Sequence, residues 1–149
     1  MIILIEKWIN KLDYPYGVWR KILSKSIIQT SDAPEAIGAY SQGIRSKDWV
    51  FTSGQIPINP KTGELITDDF RAEVHQVLTN LDGVLKGGGS SLLSAVKLTV
   101  FLTDFSYYKQ VNEVFINFFP NKPPARSAVQ VSALPMNARI EIEAIGYIE

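Results

Sequence analysis

Across residues 70–102 the apolar pattern changes period at a run of three glycines. Phe70, Val74, Val77, Leu78, Leu81, Val84 and Leu85 recur at the spacing of one helical stripe. Gly87-Gly88-Gly89 then stops that helix. Beyond it Val96, Leu98, Val100 and Leu102 alternate with Lys97, Thr99 and Phe101, so 95–103 reads as a half-buried strand. A helix and a strand that each carry one apolar face, joined by a short link, bury those faces against each other. With the element order below, this reads as a layered α+β arrangement.

The rest of the chain extends the pattern. Residues 27–29 read as a short strand, and Ser31 to Gly38 as a loop rich in turn residues. Gln42–Arg45 and Trp49–Ser53 form a hairpin around Ser46-Lys47-Asp48. Asn59-Pro60-Lys61-Thr62-Gly63 is a turn, and Thr67 or Asp68 is placed to cap the long helix. Asp104 or Ser106 is placed to cap a second helix with the stripe Tyr108, Val111, Val114, Phe115 and Phe118, which Pro120, Pro123 and Pro124 end. Two strands close the chain at about 126–132 and 139–148, linked near Leu134-Pro135-Met136-Asn137. The principal order, ββ-α-β-α-ββ, predicts one mixed sheet with both helices packed on one face.

Alternation assigns the strand faces. Val129, Val131, Ile140 and Ile142 are expected to face the helices. Arg126, Ala128, Gln130, Glu141, Glu143, Ile145 and Tyr147 are expected on the other face, with Phe101 and Trp49 or Phe51. A bare face of that apolar content is a contact surface, so it is expected to meet other subunits.

The 149 residues suit one domain, with 1–25 an N-terminal extension and 26–149 the body. Ile2, Ile5, Trp8 and Ile9, then Val18, Trp19, Ile22 and Leu23, give the extension two amphipathic pieces. It reads as a packed arm, with partner docking or organelle targeting as the alternative; the expected compartment is the cytoplasm. Fifteen basic and fifteen acidic residues leave no net charge, which argues against broad nucleic-acid binding. With no Cys and one His, a disulfide, a thiol nucleophile and a Cys/His zinc site are excluded. No apolar run approaches the ~20 residues of a membrane-spanning helix.

The candidates for chemistry are few. Arg126, after the stiff Pro123-Pro124-Ala125, has the planar fork that grips a carboxylate through two hydrogen bonds; a structural pairing with Glu141 or Glu143 is the competing role. Glu141 and Glu143 share one strand face, and apolar surroundings raise a carboxyl's proton affinity. Ser53 offers a hydroxyl at a strand end, and Gly54 lets a ligand reach the backbone. His75 reads as a surface residue of the long helix.

Several segments together resemble the RidA (reactive intermediate deaminase, YjgF-type) family. They are residues 36–43 (AIGAYSQG), 51–57 (FTSGQIP), 59–64 (NPKTGE), Val111-Asn112, 124–127 (PARS), Leu134-Pro135 and 140–145 (IEIEAI), in one collinear order. The resemblance implies a chorismate-mutase-like subunit in a homotrimer, with the sheets lining a central barrel and sites between subunits. It implies hydrolysis of reactive enamines and imines such as 2-aminoacrylate to 2-keto acids and ammonia, with no metal or organic cofactor. Arg126 then matches the arginine that pairs with the substrate carboxylate, Glu141 the glutamate that orients or activates water, and Tyr40 the tyrosine at the site. Ser53, Gly54 and Asn112 match substrate contacts. Ala128 stands where many members carry Cys, which excludes chemistry through that thiol. The alternatives are a small-carboxylate-binding or chaperone-like trimer, an RNase or translation inhibitor, and an isomerase suggested by fold alone.

Overall fold

The computed structural model describes residues 25–149; the two expected N-terminal amphipathic pieces lie outside the described residues. The elements are β1 (Lys25–Ile28), β2 (Gly43–Ser46), β3 (Trp49–Thr52), α1 (Phe70–Gly87), β4 (Ala95–Leu102), α2 (Tyr108–Phe118), β5 (Ala125–Gln130) and β6 (Ile140–Tyr147). These six strands form one sheet in the order β1-β2-β3-β6-β4-β5. Among the described residues only the β4–β5 pair is parallel, because α2 carries the chain back across the sheet between them. No helix among the described residues is long and apolar enough to cross a membrane.

Every residue of the stripe read for α1 is buried. Its end is set as the glycine run predicts. Ser90 N–H donates to Leu85 O and Gly89 N–H to Lys86 O, both at 2.9 Å, with Gly89 at φ 88°. That paired closure needs a left-handed residue, which glycine adopts without a Cβ clash. The helix start differs from the expectation. Asp69, not Thr67 or Asp68, is the N-cap, and its side chain makes no capping bond. Asp104 does cap, accepting from Ser106 N–H at 2.8 Å, but over a short 3-10 turn, Phe105–Tyr107, that precedes α2.

The faces of β6 fall as expected: Ile140, Ile142 and Ala144 are buried, while Glu141, Glu143, Ile145 and Tyr147 turn outward. Strand β5 is one residue out of phase with the expectation. Val129 is 43% exposed, whereas Arg126 and Ala128 turn toward the helices. The cause is register. Arg126 pairs with the fully buried Leu98 and Val129 with Phe101, and cross-strand partners share a face. On this edge strand the long Arg126 stem covers apolar helix surface, so a charged residue occupies the helix-side phase.

A buried ion pair joins the layers. Glu73 of α1, 1% exposed, accepts from Arg139, whose Nε lies 2.9 Å from Oε1. The guanidinium also donates to Thr67 O and stands over the rings of Phe70 and Tyr107. Removing one partner of such a pair strands a charge in low dielectric. Arg139→Ala is therefore expected to lower the unfolding free energy by about 3 kcal/mol, read from urea denaturation; a change within experimental error would show that Glu73 finds another partner.

Candidate functional site

The site is organised where β3 ends against β6. Gln55 and Ile142 exchange backbone bonds of 2.9 and 3.0 Å. That exchange sets Gly54 beside Glu141. A Cβ on Gly54 would lie 2.7 Å from the Glu141 carboxyl carbon, so the absent side chain lets the acid pack against this backbone, and any larger residue would displace it. Ser53 Oγ donates to Ser41 O at 2.6 Å, and Ser53 N–H to Gln42 O at 2.9 Å. These bonds hold the segment after Tyr40 against the strand end.

Gln42 continues the scaffold from a buried position. Its two amide N–H groups are shared among Thr30 O, Ala33 O and Pro34 O and its Oε1 accepts from Thr30 N–H at 2.7 Å, so one side chain shapes the whole 30–34 loop. From the other side the fully buried Asn80 of α1 donates to Ile56 O and Ile58 O at 3.2 and 2.9 Å. Between these supports lies a cavity of about 680 Å³ lined by Tyr40, Ser53, Gly54 and Glu141 among others.

Glu141 is the chemically distinctive group. Burial pushes its carboxyl above the ordinary glutamate range, and the Glu143 charge on the same strand face adds to the shift. It holds a proton more readily than a solvated glutamate and can exchange one nearer neutral pH.

The structure brings four of the sequence-predicted residues together and leaves two apart. Arg126 and Asn112 meet on the helix side of the sheet, with Arg126 Nη2 donating to Asn112 Oδ1 at 2.6 Å and to Tyr108 Oη at 3.0 Å. The guanidinium stands 4.7 Å from the centroid of the Phe115 ring. Neither Arg126 nor Asn112 lines the Glu141 cavity, and Glu141 lies on the opposite sheet face beside Phe101. Arg126 pairs with neither glutamate; its partners are on α2. His75 is exposed on α1, its ring edge against Phe118.

Sequence reasoning does not reach Tyr108, Gln42 and Asn80 as site residues. Tyr108 fits the apolar stripe of α2, and its hydroxyl contact depends on where β5 packs. Gln42 and Asn80 act on backbone carbonyls far away in sequence, and no local spacing marks that.

Three comparisons place the chain. A family model described as Endoribonuclease L-PSP matches residues 30–148. A RutC family protein of Pyrococcus horikoshii, PH0854, is 46% identical over 125 residues, covering 84% of this chain and 99% of that protein. The 2-iminobutanoate/2-iminopropanoate deaminase of Rattus norvegicus is 44% identical over 121 residues, covering 81% of this chain and 88% of that one. The crystal structure of RidA from a Psychrobacter species superposes with a TM-score of 0.79 at 43% identity, covering 83% of this chain and 99% of that one. The chain belongs to the Endoribonuclease L-PSP family, the RidA/YjgF family whose motifs its sequence carries. Its fold is the RidA/YjgF fold.

The proton affinity of Glu141 is directly measurable. In a carbon-detected NMR titration its midpoint is expected above that of a solvated glutamate. Glu143→Gln is expected to lower the midpoint by removing the like charge. Gly54→Ala is expected to lower it too, because the added methyl drives the carboxyl toward solvent. A midpoint unmoved by both substitutions would contradict the two contacts named.

Proposed function

We propose that this protein hydrolyses reactive 2-enamino and 2-imino acids, such as 2-aminoacrylate, to 2-keto acids and ammonia. The observation that carries this reading is Glu141: a half-buried carboxyl of raised proton affinity, packed on Gly54 and open to a cavity beside Tyr40. Relatives named 2-iminobutanoate/2-iminopropanoate deaminase support it.

The active site is completed between subunits. Arg126 and Glu141 occupy opposite faces of one sheet, so one chain cannot present both to a small substrate. Strand β5, which carries Arg126, is an edge strand, free to lie against a neighbour. The outward sheet face exposes Trp49, Phe51 and Tyr147, each 42% accessible in the single chain, together with Val129. Such a surface is stabilised by burial against other copies. A homotrimer places the Arg126 edge of one subunit against the Glu141 cavity of the next.

The chemistry follows from the parts. Arg126, held by Asn112 and Tyr108, receives the substrate carboxylate on its remaining guanidinium N–H groups and orients the molecule. The enamine takes a proton from water at its terminal carbon and gives one up from nitrogen, becoming the imine. The Glu141 carboxylate then accepts a proton from water as the oxygen attacks the imine carbon. That proton passes to nitrogen to give the carbinolamine; its hydroxyl proton is then moved to nitrogen through the same carboxylate, the C–N bond breaks as the C=O forms, and ammonia leaves with the keto acid. Tyr40 and Ser53 line the path of these transfers. Its raised proton affinity makes Glu141 a stronger base toward water than a solvated carboxylate.

The test generates 2-aminoacrylate with a serine dehydratase and times its conversion to pyruvate. Wild type is expected to accelerate it. Arg126→Ala is expected to lose about a hundredfold while eluting on sizing at the wild-type position; a dissociated variant would make Arg126 structural. The pH profile is expected to fall on the acid side at a midpoint above the ordinary glutamate range, since protonated Glu141 cannot accept from water, and Glu141→Gln is expected to remove that limb. No acceleration by wild type would refute the reading.

A further inference from the structure

The hold of Arg126 on a carboxylate can be counted in hydrogens. A guanidinium carries five N–H groups, one on Nε and two on each terminal nitrogen. It forms a two-point fork along either of two edges, Nη1 with Nη2 or Nε with Nη2. Nη2 belongs to both edges, and here both of its hydrogens are used. One goes to Asn112 Oδ1 at 2.6 Å and the other to Tyr108 Oη at 3.0 Å. Of the N–H groups that remain on Nη1 and Nε, no two lie parallel on one edge. Each edge therefore offers a carboxylate a single N–H.

The two occupants of Nη2 stand on one face of α2, a helical turn apart. Asn112 makes the shorter bond. Tyr108, at the start of the helix, is held from behind. Its ring stacks on Phe105 with centroids 5.0 Å apart and planes 12° apart. The Phe105 N–H in turn donates to Gln130 Oε1 at 3.2 Å, and Gln130 ends the strand that carries Arg126. Strand β5 thus fixes Phe105, Phe105 fixes the Tyr108 ring, and that ring brings its hydroxyl back to Arg126. All of these residues belong to one subunit, so the hydroxyl is in place before a neighbour contributes anything. A phenylalanine would fill the same position in the apolar stripe of α2. What the hydroxyl adds is its bond to the guanidinium.

We infer that Tyr108 is a positioning residue that competes with the substrate for Arg126, its hydroxyl limiting the guanidinium to a one-point contact with the carboxylate. The inference rests on the deaminase reading, in which Arg126 receives that carboxylate. The 2-keto acid product keeps the carboxylate of the imine, so Tyr108 weakens the hold on both. A weaker hold shortens the residence of the product, because affinity differences at one site fall mainly on dissociation. Asn112 supplies the anchor that keeps the guanidinium in place, and Tyr108 sets how much of the fork is left open.

The test compares the full chain with its Tyr108→Phe variant, titrating 2-ketobutyrate in a calorimeter. The variant keeps the ring and its stack on Phe105 and removes only the competing oxygen. Its Kd is expected to be about tenfold lower than that of wild type, as one further hydrogen bond to a charged group gives. The uncharged 2-oxobutanamide is expected to show no such gain. On the imine made in place from 2-aminobutyrate by an amino-acid oxidase, KM is expected to fall about tenfold with no gain in kcat, since the added bond holds substrate and transition state alike. Damage to the fold weakens binding and cannot imitate this result. Unchanged or weaker binding of 2-ketobutyrate by the variant would overturn the inference, as would an equal gain for the amide or a KM that does not fall. If wild type and variant neither bind 2-ketobutyrate nor hydrolyse the imine, the deaminase reading falls, and the inference with it.

Discussion

Strand β6 is hydrogen-bonded on both edges, to β3 on one side and β4 on the other, and the rest of the molecule depends on that double pairing. Its even-numbered residues lie under the helices, with Ile140 and Ile142 fully buried, and its odd-numbered residues carry Glu141 and Glu143 outward. Because side chains alternate strictly along a strand, a register slip of one residue would expose the core and bury both acids. The pairing that stabilises the fold is thus the pairing that aims the candidate acid. The same strand meets Gln55 across a two-bond bridge, which brings Gly54 under the Glu141 carboxyl.

The supports of the cavity are buried amides rather than further charged groups. Gln42 satisfies four backbone groups of one loop, and Asn80 two carbonyls of another. A buried amide that leaves its partners unsatisfied is costly, so each amide holds its loop in one conformation. The Glu73–Arg139 pair does the same for the turn before β6, where the strained backbone at Met136 and Asn137 is kept. The cavity is therefore shaped largely from behind, and most of its lining is left free for ligand contact.

Much of this organisation is legible along the chain. The α1 stripe, the glycine stop, the alternation of β4 and β6 and the capping role of Asp104 are local patterns, and each arises within a few residues of backbone. Tyr40, Ser53, Gly54 and Glu141 stand out because they sit in motifs, and they do converge on one cavity. The phase of β5 is not legible, because apolarity on an edge strand does not track burial. Beside an exposed apolar sheet face, Val129 turns outward and Arg126 covers the aromatic side of α2. The α1 cap is equally hidden, since Asp69 caps with its backbone alone and no side-chain signal marks it.

Local patterning thus settles which segments are helices and strands, where they stop, and which residues have the chemistry for a carboxylate and proton site. Hydrogen-bond geometry and hydrophobic period act between near neighbours, and a linear sequence records them. Which residues stand together across the sheet is set by long-range pairing. The side of the sheet that Arg126 occupies is no local property of β5, because its register against Leu98 turns the guanidinium toward the helices. Only the folded sheet separates Arg126 from Glu141, and only the folded loops bring Tyr40 and Ser53 to the cavity that acid lines. Both depend on contacts between residues far apart in the chain, whose free energy no short stretch of sequence carries.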